Sequence, residues 1–247
     1  MSQSPIPRVL STFQRYRVKA LLMGGQACIL YGAAEFTRDV DFAVAVGPEN
    51  LYRLRAALNK LDAEPVFFPL LSAAVLRRGH ACHFRSRAAG LHGLRIDVMS
   101  KMRGVDSFGK LWKRREEFEL PGIGRVAALS LPDLVKAKKT QRDKDWPMIR
   151  RLIEADVARA PSRIPATRCQ FWLQECRSYE LLRDLARSHT ELARRVRRPA
   201  LRAAIAGDPE RAAALLKKEE DRERQQDRLY WAPLRSELER WRQGQSR

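Results

Sequence analysis

Short apolar runs alternate with helically spaced apolar positions in the first part of the chain. Residues 16–23 predict a first strand, which ends at two glycines, and residues 26–31 predict a short helix directly after it. A second strand is predicted over residues 38–46, and apolar positions recur at helical spacing over residues 48–61. Strands that alternate with helices indicate an α/β (α+β) fold, with a mixed sheet flanked by helices.

The middle of the chain continues the strand pattern. We treat residues 1–14 as a short lead-in to the first strand. Further strands are predicted at residues 66–68, 81–85 and 94–99, followed by a hairpin of residues 117–120 and 124–129 closed by a Pro-Gly-Ile-Gly turn. A helix opening at residues 130–133 and a second one ending near Val157 then complete a domain over residues 1–157.

The strand pattern stops after residue 158. A Pro-rich segment over residues 160–166 predicts a linker, and the apolar spacing beyond it is helical. Residues 217–228 are almost all charged, with mixed signs, and predict an exposed helix held by pairs four residues apart. Pro233, within the segment Tyr230–Leu234, predicts a break before a last helix. Residues 158–247 are therefore predicted to form a C-terminal all-helical region.

Candidate chemistry is concentrated where the first strand meets the second. Alternate side chains of a strand share one face, so Asp39 and Asp41 should point the same way, with Val40 and Phe42 toward the core. Gly24 and Gly25 lack a Cβ and let backbone N–H groups approach a phosphate, and the helix that follows directs its positive end to the same place.

A third carboxylate is expected on a neighbouring strand, and Asp97 within the alternating run of residues 94–99 supplies it. Neighbouring carboxylates repel each other unless a cation lies between them, and Mg²⁺ prefers carboxylate and phosphate oxygens. We therefore predict that Asp39, Asp41 and Asp97 bind two Mg²⁺ ions, with Mn²⁺ as an alternative, and carry out nucleotidyl transfer.

The same residues carry a resemblance. Gly24-Gly25, the segment Thr37–Phe42 and the segment Ile96–Val98 resemble the DNA polymerase β-type nucleotidyltransferase superfamily, and are most similar to its small bacterial AbiEii-like members. The resemblance extends over residues 15–157 and implies the nucleotidyltransferase fold. One departure is Gly-Gly where many members of the superfamily have Gly-Ser.

The resemblance also implies roles for individual residues. Asp39, Asp41 and Asp97 would be the catalytic and metal-binding carboxylates. The nucleotide-binding residues would be Gly24, Gly25, Thr37, Arg38 and Lys138. The substrate would be an NTP, and the acceptor hydroxyl would belong to an RNA such as the 3′ end of a tRNA or to a protein. A toxin–antitoxin or phage-defence role, with a cognate antitoxin or toxin protein as partner, is implied in the same way.

Composition bears on partners and compartment. A formal net charge of +19 indicates attraction to a polyanion such as RNA, although an arginine-rich solvated surface would give the same excess. No apolar run approaches the length of a membrane span, and the N-terminal residues lack the apolar stretch of a signal peptide. Four scattered cysteines do not make a disulfide framework. These features predict a cytoplasmic protein without membrane partners.

Alternatives remain at this stage. An aminoglycoside-type nucleotidyltransferase would need an acidic acceptor pocket, and a non-catalytic antitoxin or binding module could retain the fold without its chemistry. His80 and Cys82 lie on the strand face opposite to His83, which disfavours a shared zinc site. Asp145 precedes Trp146-Pro147, and the simplest interpretation of this carboxylate is that it caps the helix that follows.

Overall fold

The computed structural model describes residues 5–34, 36–37 and 39–245. Its elements, in chain order, are α1 (Ile6–Arg15), β1 (Ala20–Met23), α2 (Gly24–Leu30), β2 (Asp39–Val44), α3 (Pro48–Lys60), β3 (Ala63–Pro65), α4 (Ala73–Arg78), β4 (Cys82–Ser86), β5 (Arg95–Met99), α5 (Phe108–Lys113), β6 (Glu116–Leu120), β7 (Gly124–Ala128), α6 (Leu131–Lys138), α7 (Asp145–Ala158), α8 (Ala166–Glu175), α9 (Tyr179–Ser188), α10 (Thr190–Arg195), α11 (Pro199–Ile205) and α12 (Pro209–Gln245).

These elements form two compact units. The first takes in the described residues of the ranges 1–30, 35–137 and 230–247, and the second those of 31–34 and 138–229. The predicted boundary after residue 157 lies inside the second unit, at the end of α7. Helix α12 contributes its first part to the second unit and its last part to the first.

The first unit is built on a seven-stranded mixed sheet of order β3-β4-β5-β2-β1-β7-β6. Strand β2 runs antiparallel to β1 and parallel to β5, and β4 is antiparallel to β5. One face of the sheet is covered by α1 and α3, where the Phe13 ring stacks on that of Phe42 at 4.4 Å. The predicted mixed sheet flanked by helices is confirmed at this level.

The predicted lead-in over residues 1–14 is wrong, because residues 6–15 form helix α1. Ile6, Val9, Leu10 and Phe13 are buried at the spacing of one helical face, so their burial against the sheet stabilises the helix. The strand predicted at residues 66–68 is also displaced. It forms at Ala63–Pro65 instead, paired with β4.

Among its described residues, the second unit consists of helices and loops without a strand, as predicted for the C-terminal region. Its core includes Trp172, Leu182 and Leu201, and the indole Nε1–H of Trp172 donates to Asp156 at 2.6 Å. The predicted helix break at Tyr230–Leu234 is wrong, because α12 continues through Pro233. The charged stretch on α12 does contain pairs at the predicted spacing, Lys217 with Asp221 and Glu220 with Arg224.

The last turns of α12 pack on the sheet unit. His80 is 1% exposed and its Nε2 lies 2.7 Å from Oε2 of Glu237. The indole of Trp241 lies 4.9 Å from the His80 ring and 5.9 Å from the Phe68 ring. The final segment of the chain is therefore part of the first unit's packing.

Candidate functional site

The predicted carboxylates come from two adjacent parallel strands. In the register of β2 and β5, Asp41 is opposite Asp97 and Asp39 is opposite Arg95. Val40 and Phe42 are buried and Asp39 and Asp41 are partly exposed, which confirms the predicted alternation on β2. Because side chains opposite each other on neighbouring strands share a face, Asp39, Asp41 and Asp97 lie on one face of the sheet.

The two glycines at the end of β1 adjoin this face. Met23 is the β1 partner of Asp41, so Gly24 follows directly beside that carboxylate. Gly24 has a φ of +65°, and a Cβ at this position would overlap the Asp41 carboxylate. A Cβ on Gly25 would lie 2.7 Å from Oγ1 of Thr37. The glycines therefore make room for two of the predicted site residues, a reason for Gly-Gly that the sequence argument did not contain.

Thr37 lies just before β2 and contacts its first residue. Its Oγ1 accepts from the backbone N–H of Asp39 at a long 3.5 Å. This contact leaves the hydroxyl proton available for another acceptor. Arg38, the neighbouring predicted phosphate ligand, lies outside the described residues.

Asp97 is held by two cationic or polar side chains that the sequence argument did not identify as site residues. Arg95 donates from Nε to Oδ1 at 2.9 Å and from Nη2 to Oδ2 at 2.8 Å, a bidentate pair. His83, opposite Asp97 on β4, places Nδ1 2.8 Å from Oδ1. Both carboxylate oxygens of Asp97 are thus engaged.

These contacts set the charge of the site. Burial alone raises the pKa of Asp97, but hydrogen bonds from His83 and Arg95 outweigh burial and lower the pKa below its ordinary value. The hydrogen bond to Asp97 raises the pKa of Arg95, and the charges of Asp39 and Asp41 act in the same direction. Arg95 is therefore paired with Asp97 by hydrogen bonds and lies within the electrostatic field of Asp39 and Asp41.

Arg95 was within reach of sequence reasoning and His83 was not. Arg95 is two residues before Asp97, so strand alternation alone places both on one face. His83 meets Asp97 only through the β4–β5 register, which depends on pairing between separate segments. The three residues His80, Cys82 and His83 separate in the fold: His80 contacts Glu237, Cys82 is buried and His83 contacts Asp97.

The donor set fits magnesium in part. Asp39 and Asp41 offer carboxylate oxygens of the kind that Mg²⁺ prefers, two residues apart on one strand face. Within the described ranges, no three His, Cys, Asp or Glu side chains are gathered as a metal-binding group. Oδ2 of Asp97 accepts one hydrogen bond, from Arg95, so its second lone pair is the position at which Asp97 could bind a cation.

Lys138, the remaining predicted phosphate ligand, belongs to the second unit. Its Nζ lies 3.1 Å from Oδ1 of Asp145, and Asp145 also accepts from Thr140 and Arg142. Burial raises the pKa of Asp145, but the charge of Lys138 and the hydrogen bond from Thr140 lower it overall. Asp145 is the first residue of α7 and not its N-cap, so the predicted capping role is replaced by this ion pair.

No family model matches the chain, and no curated protein is significantly similar to it. In the part of the chain that the structure describes, none of the helices combines the length and apolar character needed to cross a bilayer.

Proposed function

We propose that this protein is a Mg²⁺-dependent nucleotidyltransferase of the DNA polymerase β-type fold. It would transfer NMP from an NTP to an acceptor hydroxyl of an RNA, such as a tRNA 3′ end, or of a protein. The observation that carries the proposal is the β2–β5 register, which aligns Asp41 with Asp97 beside the Gly24–Gly25 turn. A cytoplasmic toxin–antitoxin or phage-defence component fits this chemistry and the charge of +19.

In the proposed reaction the acceptor hydroxyl gives its proton to a water molecule and its oxygen attacks the α-phosphorus. The bond from that phosphorus to the bridging oxygen breaks, and pyrophosphate leaves with the bonding electrons. Bound magnesium would neutralise charge on the triphosphate and on the leaving group. Asp39 and Asp41 would hold the metal, and the Thr37 hydroxyl would donate to a phosphate oxygen. The backbone N–H groups at Gly24 and Gly25 would support the outer phosphates.

Asp97 contributes a negative charge under this proposal. Its lowered pKa keeps it ionised at neutral pH, with Arg95 and His83 fixing its orientation. Arg95 would exchange one of its hydrogen bonds to Asp97 for one to a phosphate oxygen when the nucleotide binds, because guanidinium groups bind carboxylate and phosphate with the same fork geometry.

The test offers each NTP, radiolabelled at the α-phosphate, with Mg²⁺, total RNA and cell protein. Asp39→Ala/Asp41→Ala is compared with wild type and with Glu116→Ala/Glu119→Ala, a control that also removes two carboxylates but from exposed positions on β6. Label in an RNA or protein band that is lost only in the site variant supports the proposal and names the acceptor class. Equal labelling by all three proteins refutes it.

If no band is labelled, the alternatives separate by simpler measurements. Labelling of a purified aminoglycoside would indicate a small-molecule enzyme. Absence of Mg²⁺-NTP binding by folded protein, measured by calorimetry, would indicate a non-catalytic antitoxin or binding module that retains the fold.

A further inference from the structure

The second unit contains an open cleft of about 400 Å³ that is separate in sequence from the carboxylate site. Its cations come from four stretches of chain: Lys139 after α6, Arg177 after α8, the segment Arg195–Arg198 and Arg222 on α12. Gln170 and Gln174 of α8 add amide groups, and Glu219 and Glu223 are the two carboxylates in the lining. We name this feature the arginine cleft.

At the floor of the arginine cleft, the arginine side chains are held by hydrogen bonds to other parts of the second unit. Arg198 is 6% exposed and donates to the carbonyls of Leu173 and Cys176, both at 2.9 Å, and to Glu219 at 2.7 Å. Glu219 also accepts from Arg177 at 3.0 Å. One carboxylate thus serves two guanidinium groups, so positive charge remains in excess at the floor.

Glu175, next to the cleft, is shared in the same way. It accepts from Lys139 at 2.8 Å and from Arg177 at 3.3 Å. Arg177 is 9% exposed and lies over the Trp146 ring at 5.4 Å, yet its enclosed Nε has no hydrogen-bond partner among the described residues. A buried donor without an acceptor is costly, so the fold leaves this part of the Arg177 guanidinium unsatisfied.

The rim of the arginine cleft carries three positively charged side chains that take no part in the ion pairs of the described residues. Arg195, Arg197 and Arg222 are exposed, and no ion pair within the described ranges joins any of them to a carboxylate. Three arginines on one concave surface repel each other in the free protein. Their convergence from separate segments distinguishes them from arginines scattered over a solvated surface.

We infer that the arginine cleft binds closely spaced phosphate groups. Arginine forks bind phosphate oxygens in bidentate fashion, and a single carboxylate ligand would leave most of these cations without a partner. The volume falls within the range of about 300–1,000 Å³ that is usual for small-molecule sites. The phosphates belong either to a free nucleotide or to the backbone of an RNA strand.

The test measures binding in EDTA, so that metal-dependent binding at Asp39 and Asp41 does not contribute and failure of the proposed enzyme activity is a separate result. ATP is titrated by calorimetry and a fluorescein-labelled single-stranded RNA oligonucleotide by anisotropy. The variant Arg195→Ala/Arg197→Ala/Arg222→Ala is compared with Arg187→Ala/Arg202→Ala/Arg211→Ala. The control removes three exposed arginines from the same unit, and these lie outside the lining of the cleft.

We expect the cleft variant to bind at least about tenfold more weakly than wild type, since it loses several charge-assisted hydrogen bonds, and the control to stay within about twofold. For RNA, three phosphate contacts predict about 20-fold weaker binding for a fourfold rise in salt, and the cleft variant should lose most of this dependence. Binding of ATP but not of RNA identifies the ligand as a free nucleotide. Salt-dependent binding of RNA identifies the ligand as the phosphate backbone of an RNA strand.

Two results would overturn the inference: equal binding by the cleft and control variants, or no binding of either probe to wild type. Circular dichroism establishes that the variants fold. The charge-conserving variant Arg195→Lys/Arg197→Lys/Arg222→Lys should keep part of the affinity and lose the bidentate part. Binding by this folded variant as tight as that of wild type would refute recognition through arginine forks.

Discussion

Gly24→Ala is expected to disturb the candidate site strongly, because both the backbone conformation and the neighbouring side chain disfavour a Cβ at this position. The residue has a φ of +65°, which L side chains rarely adopt. A Cβ at this position would also overlap the carboxylate of Asp41. The substitution therefore strains the turn and displaces a predicted metal ligand at the same time.

The magnitude can be built from these two parts. An L residue in the left-handed region costs about 1–2 kcal/mol. Inserting a methyl group into an occupied space costs typically about 1–3 kcal/mol, as the surroundings shift. We expect Gly24→Ala to lower the free energy of unfolding by about 2–5 kcal/mol in total.

The two parts can be measured separately with other glycines of the same unit. Gly122 has a φ of +74° with open space around the missing Cβ, so Gly122→Ala carries only the backbone cost. Gly25 lacks the positive φ but would place its Cβ 2.7 Å from Thr37, so Gly25→Ala carries only the overlap. Urea unfolding followed by circular dichroism gives the three free energies.

The refuting result is a Gly24→Ala protein as stable as Gly122→Ala, which would mean that Asp41 does not occupy the space beside the turn. The double variant Gly24→Ala/Asp41→Ala adds a check. Removing the carboxylate relieves most of the overlap, so the combined loss should be smaller than the sum of the single losses.

Two further predictions concern other parts of the chain. Asp145→Asn should cost about 2–4 kcal/mol at pH 7, because it leaves Lys138 without its charge partner. The folded-state pKa of Asp145 is lowered, so its contribution is present above the ordinary value of 3.8 and is lost as the pH falls through the folded value. The difference in unfolding free energy between wild type and Asp145→Asn, measured by urea unfolding, should therefore shrink as the pH falls below 3.8. A difference that stays constant with pH would contradict the ion pair. Pro233→Ala should stabilise α12 by about 1–3 kcal/mol, because it restores an N–H donor to the helix interior. Thermal unfolding, with Ser236→Ala as the control, measures this change. An unchanged stability would show that the proline is accommodated without cost.

Local pattern was sufficient for the strand that carries two of the carboxylates. Its apolar residues alternate with Asp39 and Asp41, so both the strand and its exposed face follow from the period. The same reasoning was available for α1, where Ile6, Val9, Leu10 and Phe13 have helical spacing. Only its position before the first strand made it look like a lead-in.

Contacts between segments that are distant in sequence could not be predicted from local pattern. The contact between His83 and Asp97 depends on which strands are neighbours, and sequence alternation does not specify strand order. The arginine cleft likewise combines residues from both ends of the second unit. Pro233 shows a different limit: a proline in a long helix costs stability, but packing on either side of it can outweigh that cost.

The course of α12 has a consequence for synthesis of the protein on the ribosome. The sheet unit begins with α1, yet it also includes Glu237 and Trp241 of α12, which are translated after the whole of the second unit. Domains usually fold in order as the chain emerges. Here the contacts of His80 cannot form until Glu237 and Trp241 have been translated, so a chain that stalls within α12 would present an incomplete sheet unit to chaperones and proteases.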